Sequence, residues 1–139
     1  MLKEVHDHIV HELQQNTRTD TIFVVTAIVF NLIVLAVNAA VAGEADSPRA
    51  DPSSDIVLAV FIVMSILVNT IATVALNTGK ASRKKLISGL ITMYEDNEVA
   101  QYYDPALMQG YDKRYFLFNA VIVCLAVTGI AVPLIIRFT

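Results

Sequence analysis

Three stretches of the chain carry no Lys, Arg, Asp or Glu: Thr21 to Ala42, Ile56 to Gly79 and Tyr115 to Ile136. Each is long enough for a helix to cross bilayer hydrocarbon, which takes about 20 apolar residues. Their Val, Ile and Thr content does not predict strands. Barrel strands run about 10 residues and alternate polar with apolar, and these stretches do not alternate. In lipid the backbone must pair with itself, so runs of this length fold as helices. The pattern predicts an all-α integral membrane protein with three transmembrane helices, over residues 21–43, 56–77 and 115–137. Ala40-Val41-Ala42 has the small residues of a signal-peptide cleavage site. The segment before it is acidic, however, and the apolar run exceeds a signal's, so the first run is expected to remain as a span.

Between the runs the pattern changes. In residues 1–20, Leu2, Val5, Ile9 and Leu13 recur at helical spacing, with Val10 beside them. This predicts a short N-terminal amphipathic helix. Its polar face is poor in Lys and Arg, so packing on protein is expected over lying on lipid. Residues 44–55 are rich in Pro, Ser and Asp and read as a short irregular acidic loop. In residues 78–114, Leu86, Ile87, Leu90, Ile91 and Tyr94 make a narrow apolar stripe. A helix is expected from Ser82 to about Ala100, able to continue the second span, with Gly79 and Gly89 as its weak points. Asp104 and Pro105 suit the cap and first residue of a further helix leading into the third span.

Charge orients these elements. The loop 44–55 has one basic residue, Arg49, whereas 78–114 has Lys80, Arg83, Lys84, Lys85, Lys113 and Arg114, all close to a span. Basic loops stay inside. The 78–114 loop and the N-terminus are therefore expected to be cytoplasmic, and the C-terminus outside. The same basic cluster would sit at the anionic inner leaflet. Its acidic residues Glu95, Asp96, Glu98, Asp104 and Asp112 nearly cancel it, so no nucleic-acid partner is expected.

Composition narrows the function classes. The 139 residues are 55 % hydrophobic and only 17 % charged, with a formal net charge of −3. Soluble domains carry about 25 % charged residues, so a soluble enzyme is excluded. One cysteine, Cys124, excludes a disulfide scaffold, and it reads as a small packing residue with Ala120 and Thr128. No HExxH, phosphate-binding loop or GxGxxG occurs, and the spans hold no Asp pair or Ser/His dyad. No enzyme activity and no cofactor are expected.

What remains is a set of candidate polar positions. Ser65, Asn69 and Thr73 recur every four residues in the second span, and Asn77 extends the line. Asn31 and Asn38 are seven apart in the first, near Ala27 and Ala42. Such groups either join helices or line a water-filled path. Glu44, Asp46, Asp51 and Asp55 would ring an outer mouth in an oligomer. His8 and His11 are the only candidates for a metal, at a spacing any helix supplies, and a solvated polar face is the expected reading, with no metal site. Leu86, Leu90 and Tyr94 are candidates for contact with a partner helix.

Two functions fit this layout. One is a small, oligomeric channel or pore in the cell membrane, favouring cations or weakly selective. The other is a non-conducting membrane scaffold or accessory subunit that binds a protein partner through its cytoplasmic helices. In both, the chain is multi-pass and a cyclic homo-oligomer is expected, because three helices alone enclose little.

Overall fold

A computed structural model describes residues 2–43, 53–104 and 106–138. Three helices account for nearly all of them: α1 (Leu2–Gly43), α2 (Ser53–Asp96) and α3 (Ala106–Phe138), with a 3-10 turn at Ala100–Tyr102 before α3. All three are long and apolar enough to span a membrane. Cross-links between Asn16 and Gly79, and between Asn31 and Asn69, show α1 and α2 running antiparallel. Lys80 to Asp112 and Asp55 to Arg137 show the same for α2 and α3.

Residues 2–20 continue into 21–43 without a break. Thr17, Thr19 and Thr21 lie at this junction, and each hydroxyl donates to the carbonyl four residues back. Their polarity is thus absorbed by the helix and does not interrupt it. Likewise α2 passes through Gly79 and Gly89 to Asp96. At 1.5 Å per residue, α1 and α2 are each about 65 Å long, twice the ~30 Å of a hydrocarbon core. Their excess lies at the same end of the bundle, where the first half of α1 packs along the last part of α2 as a two-helix stalk.

Helix α2 stops in a Schellman turn. Val99 N–H donates to Tyr94 O at 2.9 Å and Glu98 N–H to Glu95 O at 3.1 Å. Glu98 takes φ 57°, the left-handed position usually given to glycine.

The buried positions explain how the helices meet. On α1 they are Asp20, Val24, Ala27, Asn31, Val34, Asn38 and Ala42. On α2 they include Leu58, Ser65, Asn69, Ala72, Leu76, Arg83, Ile87 and Leu90. On α3 they are Tyr115, Ile122, Gly129 and Pro133. Steps of three, four and seven keep one seam facing its partner along a slightly supercoiled bundle. The seams mix small and polar residues with an apolar cluster of Val24, Ala27, Ala72, Leu76 and Ile122, while Ile33, Val63, Leu67, Ile71 and Val127 face outward. Lipid is as apolar as leucine, so burying leucine gains little there, and close approach and hydrogen bonds decide the interior. Cys124 and Thr128 lie on the outer surface of α3, and so do not pack inside the bundle as expected from their size.

Candidate functional site

Asn31 and Asn69 meet in the middle of the apolar zone. Asn31 Nδ2 donates to Asn69 Oδ1 at 2.7 Å, and Asn69 Nδ2 donates back to Asn31 Oδ1 at 2.9 Å. The second hydrogen of each amide goes to its own helix, Ala27 O at 2.8 Å and Ser65 O at 2.7 Å. The pair is therefore closed on itself inside one chain. Ser65 is buried beside it. Thr73 is half-buried and faces, with Asn69 and Thr70, an apolar groove between α2 and α3. Asn77 accepts from Asn119 Nδ2 on α3 at 3.3 Å. The α2 stripe thus turns from α1 to α3 along its length. A four-residue spacing overshoots the 3.6-residue turn by about 40° each step, so the four side chains do not share one face. Asn38 is fully buried, and neither polar atom of its side chain has a partner among the described residues.

Where the helices leave the apolar zone on the stalk side, a second polar cluster joins all three. Asp20 on α1 is 4 % exposed, Arg83 on α2 8 % and Tyr115 on α3 2 %. The Tyr115 hydroxyl donates to Asp20 Oδ2. Arg83 Nη2 donates to Thr17 Oγ1 at 2.6 Å, and the guanidinium lies 4.4 Å from the centre of the Tyr111 ring. The Arg83 Nε is buried without a partner among the described residues. Asn16 Nδ2 donates to Gly79 O at 2.9 Å. A Cβ on Gly79 would clash with Asp20 Oδ1, so the carboxylate occupies space that only glycine leaves open. Lys80 pairs with Asp112 on α3 at 2.9 Å, and this hydrogen bond and charge hold the Asp112 carboxyl below its ordinary pKa. Lys80, Arg83, Lys84, Ile87, Tyr111, Asp112 and Tyr115 line a small cavity of about 20 Å³, enough for a single water.

The other sequence candidates fall in various places. Asp55 pairs with Arg137 and joins the start of α2 to the end of α3. Glu44, Asp46 and Asp51 lie outside the described residues. Leu90 is buried, Leu86 is half-buried, and the Tyr94 hydroxyl lies 3.2 Å from His6 Nε2 on α1. That stripe therefore packs at least partly on the chain's own first helix. His8 and His11 are exposed, and no group of three or more metal-binding side chains converges among the described residues.

The Asp20, Arg83 and Tyr115 cluster is not legible as a site in the sequence, where Arg83 is one of several loop charges and Tyr115 only the first residue of the third apolar run. One signal points to it. Asp20 directly precedes the first apolar run, Tyr115 opens the third, and Arg83 follows the second closely. In an up-down-up bundle all three fall at one depth.

No family model, curated protein or solved structure matches this chain.

Proposed function

We propose that the protein is a non-conducting membrane subunit, with its N-terminus and stalk on the cytoplasmic side and its C-terminus outside, that holds a protein partner at the stalk. The distribution of Lys and Arg supports this orientation. The observation that carries the reading is the stalk's far end. There Leu2, Lys3, His6, Met93, Tyr94, Asn97 and Val99 line an open groove. Leu2 is 54 % exposed and Val99 40 %. The groove lies about 27 Å from Asp20 along α1, so a stalk that stands off the membrane carries it clear of lipid and offers its apolar side chains to a protein partner. The closed Asn31–Asn69 pair adds support, because it engages both side-chain amides within one chain.

The test is co-purification from native membranes with the wild type and with Leu2→Glu/Val99→Glu. A protein that accompanies the first and not the second supports the reading. An unchanged set of co-purifying proteins refutes it. The oligomeric channel keeps one favourable observation: the Thr70 and Thr73 hydroxyls and the Asn69 amide border the outward groove between α2 and α3, which a homo-oligomer would enclose. Cation flux into vesicles that falls on Thr73→Leu would establish that reading, and vesicles as tight as protein-free ones would end it.

A further inference from the structure

The groove at the far end of the stalk is apolar inside and acidic around. We propose, on the reading that the stalk docks a protein, that it receives a basic amphipathic helix of that partner. The helix's apolar stripe enters the groove, and its Lys and Arg meet the surrounding carboxylates.

Residues 2–11 of α1 and 93–104 around the end of α2 come together here through His6, Tyr94 and Tyr103. They carry Glu4, Asp7, Glu95, Asp96, Glu98 and Asp104, all exposed, against Lys3 as their one Lys or Arg. Glu95, Asp96 and Glu98 interleave with the groove residues Tyr94, Asn97 and Val99. None of the three makes an ion pair among the described residues.

Local preferences would place other residues at these positions. Glu95 and Asp96 close α2, whose last turn has no basic residue. The exposed carbonyls of a helix end favour cations and disfavour acids. Glu98 holds φ 57°, where glycine carries no steric cost. Three neighbouring acids kept against local preference mark a surface shaped by what it meets.

The groove supplies the other half of the recognition. Leu2, Met93, Tyr94 and Val99 give it an apolar lining, and its volume is about 280 Å³. Pockets that enclose small molecules run about 300–1,000 Å³. An open groove between helix ends instead suits the stripe of a third helix, anchored at i, i+3, i+4 and i+7. The flanking acids then select a stripe bordered by Lys and Arg. The same acids repel an anionic leaflet, and a second copy of this chain would oppose like charges.

Two synthetic helical peptides with one Leu stripe, carrying either Lys or Glu at their polar positions, test this. Their binding to the purified full chain in neutral detergent is followed by fluorescence anisotropy. The Lys peptide should bind about tenfold tighter than the Glu peptide, and more weakly as salt rises. Glu95→Lys/Asp96→Lys/Glu98→Lys should reverse the preference; these sites are exposed and a helix end accepts Lys. A Lys peptide with its leucines scattered off one face should bind about tenfold more weakly than the striped one. Equal binding of the Lys and Glu peptides, of wild type and triple variant, or of striped and scattered peptides overturns the proposal. So does a dimer in native mass spectrometry that Leu2→Glu/Val99→Glu dissociates, which assigns the groove to a second copy. Co-purification from native membranes separates the two levels. A protein lost with Leu2→Glu/Val99→Glu but kept by the triple Lys variant upholds the stalk reading and overturns the basic partner, whereas a protein kept by both refutes both.

Discussion

Replacing Asn31 with Leu leaves the Asn69 Oδ1 acceptor unpaired in a dry interior and its amide hydrogens with Ser65 alone, the carbonyl at 2.7 Å and the hydroxyl at 3.3 Å. A buried polar group that loses its partner costs about 1–3 kcal/mol. Asn69→Leu does the same to Asn31, whose remaining bond is to Ala27 O. Two interhelical bonds in lipid contribute about 1–3 kcal/mol together. The double variant Asn31→Leu/Asn69→Leu removes both partners and leaves no orphan. It should therefore be much less unstable than the sum of the single variants, by about 2 kcal/mol. The measurement is reversible unfolding in mixed micelles with increasing denaturing detergent, for all four members of the cycle. Costs that add to within about 0.5 kcal/mol would refute the direct pairing. They would also free both amides for a role outside the protomer.

Other consequences can be checked in the same assay. Gly79→Ala should cost about 1–2 kcal/mol, because its Cβ meets Asp20 Oδ1 and that carboxylate is held from the other side by Tyr115. Gly89→Ala meets nothing within 4 Å and should gain about 0.5–1 kcal/mol from helix propensity, so equal effects at the two glycines would contradict the packing described. Tyr115→Phe, which leaves a buried carboxylate oxygen without its donor, should lower stability by about 1–3 kcal/mol; a neutral result would mean that water reaches Asp20. Glu98→Gly relieves a left-handed backbone position and should raise stability by about 1 kcal/mol, with no change in the helix content seen by circular dichroism.

Hydrophobic and charged residues alone determined the three helices, because bilayer hydrocarbon admits neither bare charges nor unpaired backbone. Thr21 to Ala42, Ile56 to Gly79 and Tyr115 to Ile136 carry that information locally. The polar positions inside them were equally plain, and Asn31, Asn38, Ala27 and Ala42 do share the buried face that their spacing implied.

Which neighbour each polar group meets was a different matter. The stripe from Ser65 to Asn77 has one spacing in the sequence, yet its members meet α1, the α2–α3 groove and α3 in turn. The rotation of a helix about its axis is set by all its contacts together, so no single stripe reveals it. Asp20, Arg83 and Tyr115 show the same limit more sharply, since Asp20 and Tyr115 are 95 residues apart along the chain. Local rules place each at the end of an apolar run, where charge and a tyrosine hydroxyl can reach water. Only the packing of three antiparallel helices at one depth turns them inward, against a glycine that leaves room for the carboxylate, and makes boundary residues into a buried site.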